Sequence, residues 1–84
     1  LTRHLAAELG REKIRVDALV PGPFPQPSVA QNDPAFADRL AAKTMLGRTG
    51  AAPEIAGPLL FLASPASSYV TGSELPVDGG WTAW

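Results

Sequence analysis

The stretch LTRHLAAELGREKIRVDALVPG (residues 1–22) decides the predicted fold. Its leucines recur at every fourth position and form one apolar face of a helix over residues 1–10, which Gly10 is expected to end. A charged turn follows, and the apolar run at 14–20 is typical of a buried parallel strand. A helix, a short turn and a buried strand make the second half of a βαβ unit, so the sequence predicts an α/β fold.

A proline-rich loop, residues 21–27 (PGPFPQP), ends this strand. Its prolines fix the backbone and remove donors, so the loop is expected to be stiff and extended. In open parallel sheets, ligands bind beyond the carboxyl ends of the strands. The loop is therefore either the wall of a ligand site or a spacer, and its position alone favours neither.

The following segment, residues 28–52, contains one predicted helix. Asp33 is expected to cap it and Pro34 to occupy its first position, with the helix ending near Lys43. The remainder, up to residue 52, is predicted to be a loop.

Two more elements complete the chain. A helix is predicted over 53–64, and Pro58 is expected to kink its axis. A short strand is predicted over 74–78, and Pro76 places it at a sheet edge or at a strand end.

Composition excludes several function classes. The chain has 84 residues, a net charge of −1 and no cysteine, so it has no disulfide, no thiolate nucleophile and no cysteine-ligated zinc. With a single histidine, a transition-metal site is not expected either. The charge argues against a nucleic-acid partner, and the longest apolar run, Leu59–Ala63, is far below the ~20 residues that span a bilayer. A soluble, cytoplasmic protein is expected.

The residues contain no catalytic constellation. Tyr69 has Ser73 rather than a lysine four positions later, and His4 has no nucleophile nearby. Asp17 is expected to bond a neighbouring loop or to face a cleft, with the structural role favoured. Gly79 and the next glycine fit a turn better than a phosphate-binding loop, because they open no helix.

Five blocks of the sequence, in this order and at these spacings, resemble the short-chain dehydrogenase/reductase family. They are residues 1–22, LGRTG at 46–50, PEIAGPLLFLAS at 53–64, SSYVTG at 67–72 and VDGG at 77–80. The resemblance implies a doubly wound Rossmann fold and hydride transfer between NAD or NADP and an alcohol or carbonyl substrate. The PFP loop at 23–25 and the WTAW end at 81–84 are similar to those of members acting on sugar acids and polyols, such as gluconate dehydrogenases.

The family's catalytic Tyr, Lys and Ser match no residue of this chain and are expected upstream of Leu1. The chain is thus expected to be the C-terminal third of such an enzyme and inactive by itself. The alternative is a Rossmann-fold binding or scaffold protein without catalysis.

The resemblance also assigns candidate site residues. Pro21 and Gly22 shape the nicotinamide loop 21–27, main-chain groups of Phe24 hold the cofactor's carboxamide, and Gln26 stands where the family often has Thr. Residues 28–52 correspond to the substrate-covering segment.

Three side chains are candidates for the substrate pocket, namely Phe24, Phe36 and Met45; for the last two, core packing is an equal alternative. A homotetramer is expected through the terminal strand with Trp81 and Trp84.

Overall fold

The computed structural model describes residues 1–84 and contains a two-stranded parallel sheet. Strand β1 (Ala18–Pro21) pairs with β2 (Glu74–Val77), with Ala18 opposite Glu74. The parallel α/β architecture expected from the sequence is confirmed.

Pro76 lies in β2 without breaking the ladder. The carbonyls of Ser73 and Val77 accept hydrogen bonds from the β1 side, at 2.9 Å each. The backbone N–H and C=O groups of successive residues in a strand point alternately to its two neighbours. Because those of Ser73 and Val77 face β1, the nitrogen of Pro76 faces away from it. Its missing N–H therefore leaves no gap in this sheet, as the edge-strand prediction requires.

β1 is shorter than the predicted strand over 14–20. The Val16 N–H bonds the Thr71 hydroxyl at 3.1 Å, and its carbonyl accepts the Gly72 N–H at 2.8 Å. Gly72 has φ +70, which turns the partner segment out of strand geometry. The backbone before Ala18 is thus hydrogen-bonded, but not as a strand.

Helix α1 spans Thr2–Leu9 and ends at Gly10, as predicted, but Gly10 is not in the left-handed conformation that glycine often takes at a helix end. Gly10 has φ −59 and ψ −39, and the chain continues as a 3-10 turn over Gly10–Glu12. Lys13, at φ +62, takes the left-handed position instead, and the Ile14 N–H reaches the Leu9 carbonyl at 3.3 Å. This pattern is a Schellman motif with lysine at its left-handed residue.

Three helices connect β1 to β2: α2 (Pro27–Asn32), α3 (Pro34–Ala42) and α4 (Ala52–Ala63). The Asp33 cap is confirmed, because its Oδ1 accepts the Phe36 N–H at 3.1 Å. α2 was not predicted.

The two ends of the crossover are tied together by polar groups. Arg15 donates to the carbonyl of Leu62 at 2.7 Å and to that of Val70 at 3.1 Å. Asp17 accepts from the Ser73 N–H at 3.1 Å and contacts Arg15 at 3.3 Å, which gives it the structural role favoured by the sequence.

The chain alone builds almost no core. Only Ala6, Thr44 and Ser67 are buried, and apolar side chains of α4, including Leu60 at 68% exposure, face outward. The radius of gyration is 15.5 Å, against about 12 Å for a compact domain of this length. α4 has apolar side chains on more than one face, which is typical of a helix that packs between other elements. None of the helices is both long and apolar enough to cross a membrane.

Candidate functional site

Loop 21–27 begins where β1 ends and is hydrogen-bonded to the end of β2. The Gly22 N–H donates to the Val77 carbonyl at 2.9 Å. A Cβ on Gly22 would lie 2.6 Å from both Cα and Cβ of Asp78, so only glycine allows this approach. The loop's path over the sheet edge is therefore fixed at its second residue.

The same loop carries polar groups without partners. Its only N–H groups belong to Gly22, Phe24 and Gln26, because its other residues are prolines. Gly22 uses its N–H on the sheet, whereas Phe24 makes no hydrogen bond through either N–H or C=O. Gln26 uses its carbonyl to begin α2 but leaves its N–H and its exposed side chain unbonded. A proline-rich loop thus leaves both the donor and the acceptor of one residue, Phe24, without a hydrogen-bond partner in this chain.

An open cleft of about 440 Å³ lies beside this loop. It is bounded by Phe24, by the loop containing Met45 and Gly50, and by the glycine turn after β2. The Gly50 N–H donates to the Pro23 carbonyl at 2.9 Å, and a Cβ on Gly50 would collide with the Phe24 ring. The ring therefore lies against the Gly50 backbone and forms one wall of the cleft.

Met45 also lines the cleft, and its side chain lies against the backbone of Gly80. Gly80 has φ +90, and a Cβ there would lie 2.7 Å from Cβ and Cγ of Met45. The Leu46 N–H donates to the Gly79 carbonyl at 3.0 Å. The buried hydroxyl of the neighbouring Thr44 donates to the carbonyl of Ala41 at 2.8 Å. The turn after β2 thereby carries the segment that bears Met45.

Asp78 is a lining residue that the sequence analysis did not single out. It accepts the N–H of Gly80 at 2.9 Å and both the N–H and the hydroxyl of Thr82, at 3.1 and 2.7 Å. The Thr82 hydroxyl bond is the main reason why the pKa of Asp78 lies below its usual value. Aspartate before two glycines is a turn-forming pattern, and this could have been read from the sequence. Through these hydrogen bonds the carboxylate organises the turn after β2.

Arg48 and Glu54 line the cleft as an ion pair. Nη1 and Nη2 of Arg48 donate to Oε1 and Oε2 of Glu54 at 2.7 and 2.8 Å. Glu54 Oε1 also accepts the Ala51 N–H at 3.1 Å, at the start of α4. The bonds from Arg48, and then that from Ala51, lower the pKa of Glu54 to about 2. Glu54 in turn raises the pKa of Arg48.

The structure brings some of the predicted site residues together and separates others. Phe24 and Met45 line the cleft, whereas Pro21 and Gly22 line an adjoining cavity of about 370 Å³. Gln26 and Phe36 line neither of these cavities. Phe36 lies exposed on α3, with the Arg39 guanidinium 5.6 Å from the centre of its ring.

The residues considered for catalysis form no constellation. His4 lies on the exposed surface of α1, 3.3 Å from Glu8, and Tyr69 is fully exposed without a hydrogen-bond partner. Neither His4 nor Tyr69 is therefore part of a nucleophile–base pair in this structure.

The terminal tryptophans pack back on the chain. The Trp84 indole N–H donates to the Lys43 carbonyl at 2.7 Å, and Lys43 Nζ lies 5.8 Å from the centre of the Trp81 ring. Trp84 nevertheless remains 77% exposed, and Trp81 is half-buried. The Trp84 indole is thus hydrogen-bonded at the C-terminal end of α3, while most of its surface is exposed.

A family model described as Enoyl-(Acyl carrier protein) reductase matches residues 1–82. Galactitol 2-dehydrogenase (L-tagatose-forming) of Cereibacter sphaeroides is 46% identical over 86 residues, covering 100% of this chain and 34% of that protein. Gluconate 5-dehydrogenase of Gluconobacter oxydans is 39% identical and is matched by 98% of this chain over 33% of its length. The chain spans about a third of the length of these curated relatives.

Solved structures show the same relationship. A Mycobacterium marinum short-chain type dehydrogenase/reductase superposes with a TM-score of 0.85 at 37% identity, over 99% of this chain and 32% of that one. An Agrobacterium tumefaciens protein, provisionally assigned as a 2-deoxy-D-gluconate 3-dehydrogenase, was crystallised with NADP. It superposes with a TM-score of 0.86 at 36% identity, over 99% of this chain and 35% of that one.

The chain belongs to the short-chain dehydrogenase/reductase family. Its two strands and four helices form part of that family's Rossmann-type fold, which is built on a doubly wound parallel sheet. The predicted fold class is therefore confirmed. Within the family, its relatives include dehydrogenases of polyols and sugar acids, as the sequence resemblance indicated.

Proposed function

We propose that the protein containing this chain is an NAD- or NADP-dependent oxidoreductase, and that these residues hold the nicotinamide end of the cofactor and one wall of the substrate cleft. The reaction moves a hydride between the nicotinamide and a carbon bearing an alcohol or carbonyl. The accompanying proton passes to or from an acid/base group outside these 84 residues.

One observation carries this proposal: Phe24 has a free N–H and a free C=O on a proline-stiffened loop. A carboxamide needs one donor and one acceptor side by side, and a single residue's main chain supplies both. Because neighbouring prolines restrict the backbone, little ordering entropy is lost when the ligand binds. When bound, the nicotinamide supplies or accepts the hydride.

The other loop residues complete this assignment. Pro21 and Gly22 set the path of the chain from the sheet to Phe24, through the close approach to Asp78. Gln26 offers an unbonded N–H and side-chain amide further along, suited to a polar group of the cofactor.

Phe24 and Met45 are proposed to contact the substrate, since both line the cleft. Residues 28–52 would cover it, and Phe36, exposed on α3 within this segment, is available to a substrate that extends beyond the cleft. Relatives acting on galactitol and gluconate support a polyol or sugar acid as substrate. Because the named relatives are dehydrogenases and reductases, catalysis is favoured over a scaffold role.

We also propose a homotetramer that uses β2 with Trp81 and Trp84. The large exposed part of the Trp84 ring supports this, since aromatic side chains are enriched at the buried centre of subunit interfaces. A cytoplasmic location fits a reaction that draws on the soluble pool of nicotinamide cofactors.

Two substitutions in the whole protein test the loop assignment. Phe24→Pro removes the N–H and the ring, whereas Phe24→Ala removes only the ring. A lost hydrogen bond of about 1 kcal/mol corresponds to about fivefold weaker binding. We expect the proline variant to bind NADH or NADPH about fivefold more weakly than the alanine variant, measured by cofactor fluorescence.

The two variants must have similar melting temperatures, so that a difference in cofactor affinity is not caused by unfolding. Equal cofactor affinities of the two folded variants would show that the Phe24 N–H does not hold the cofactor. The substrate KM of Phe24→Ala reports the separate contribution of the ring.

A further inference from the structure

The Arg48–Glu54 pair closes a short loop next to the cleft. Its two parallel hydrogen bonds, at 2.7 and 2.8 Å, join the residue before Thr49 to the first turn of α4. Glu54 also holds the Ala51 N–H at 3.1 Å. A bidentate pair fixes direction as well as distance, so the backbone between Arg48 and Ala51 has little freedom.

The other end of this loop is held by Thr44. Its buried hydroxyl accepts the Arg48 N–H at 3.1 Å and lies 3.1 Å from the Arg48 carbonyl. Arg48 is thus tied by its main chain to Thr44 and by its side chain to Glu54. Gly50 lies between Arg48 and Ala51, in the part of the loop restrained from both sides.

Gly50 transmits this restraint to the proline-rich loop. Its N–H donates to the Pro23 carbonyl, one residue before Phe24, and its missing Cβ makes room for the Phe24 ring. A displacement of Gly50 therefore changes both the main chain before Phe24 and the surface on which its ring lies.

We propose that Arg48 and Glu54 are positioning residues that hold Gly50 against the Pro23 carbonyl and so set the place of the Phe24 ring in the cleft. The structural part of this proposal stands on the contacts above. Its kinetic consequence rests on the proposed oxidoreductase function.

Arg48 acts through position and not as a binding site for an anionic substrate. Both terminal nitrogens already donate to Glu54, and Nη1 also contacts the Thr49 carbonyl at 3.3 Å. Glu54 brings a full negative charge to the same spot, so the pair presents no net positive charge to the cleft.

Glu54→Gln in the whole protein distinguishes the effect of the ion pair with Arg48 from that of the hydrogen bond at the start of α4. Glutamine keeps an acceptor for the Ala51 N–H but removes the carboxylate that binds Arg48 at two points. Glu12→Gln is the matched control, because Glu12 is exposed, carries the same charge and makes no side-chain hydrogen bond or ion pair.

The readouts are hydrogen exchange of peptides covering residues 48–51 and the steady-state constants. For an exposed pair, we expect exchange at Gly50 to rise about two- to fivefold in Glu54→Gln. We expect the substrate KM to rise by a similar factor with kcat little changed, and Glu12→Gln to match the wild type. A merely destabilised protein would exchange faster throughout, including α1. Arg48→Lys, which keeps the charge but not the fork, should fall between wild type and Glu54→Gln.

Faster exchange confined to the Gly50 peptides together with a raised KM supports the proposal. Unchanged exchange at Gly50, or faster exchange with an unchanged KM, overturns it. If the wild-type protein shows no NAD- or NADP-dependent activity, the proposed function fails, and the exchange measurement still decides whether the pair holds Gly50.

Discussion

Gly22→Ala is the substitution for which the structure makes the strongest prediction. The added Cβ would lie 2.6 Å from the Cα and the Cβ of Asp78. Neither atom can be moved by a rotamer change, so loop 21–27 must separate from the end of β2. That separation breaks the 2.9 Å bond from the Gly22 N–H to the Val77 carbonyl.

The expected magnitude follows from these two losses. The hydrogen bond contributes about 1 kcal/mol, and forcing a methyl group into a closed contact costs about 1–3 kcal/mol. The sum is a loss of about 2–4 kcal/mol. In a domain of about 150–250 residues, each kcal/mol lowers the melting temperature by about 2–4 °C, so a drop of about 4–16 °C is expected.

The assay is thermal unfolding of the whole protein, with and without NADH or NADPH. Gly10→Ala is the control, because Gly10 has helical φ −59 and no atom within 4 Å of its added Cβ. At such a position alanine is neutral or stabilising by up to about 1 kcal/mol. If Gly22→Ala melts at the same temperature as Gly10→Ala, the steric argument is wrong.

Two further predictions concern the ion pair and the assembly. Glu54 has a folded pKa of about 2, below its ordinary 4.5, so the pair stabilises the fold above pH 4.5 and loses this contribution as pH falls towards 2. The difference in unfolding free energy between wild type and Glu54→Gln should accordingly be constant near neutrality and shrink in acid, as urea titrations at several pH values would show. The proposed assembly predicts a tetramer by light scattering, and Trp84→Ala, which removes an exposed ring, should shift it to smaller species; a monomeric wild type would contradict the proposed interface.

The sequence predicted best those features that depend on residues close together in the chain. The Asp33 cap needs only a side chain and an N–H three residues later, and both are local. Gly10 shows the limit of that reasoning, because glycine permits the left-handed conformation without requiring it. Lys13 took that conformation where the chain turned toward β1.

The cleft could not be predicted from local pattern, because its walls come from distant parts of the chain. Phe24 and Met45 are brought together through the turn after β2, which follows them by more than thirty residues. Phe36 is as apolar as Phe24, yet its place on α3 leaves it outside the cleft. The family resemblance made all three of them pocket candidates, and only the tertiary contacts separate them.

Backbone packing, rather than side-chain choice alone, determines the shape of this cleft. The Phe24 ring lies on Gly50, Met45 lies on Gly80, and the proline-rich loop meets the sheet at Gly22, each at a distance that excludes a Cβ. The two proposed substrate contacts therefore sit on surfaces from which a methyl group would displace them. Since Gly50 and Gly80 line the cleft and also hold its apolar walls, substitutions at these two glycines should change substrate preference while every other lining side chain stays the same.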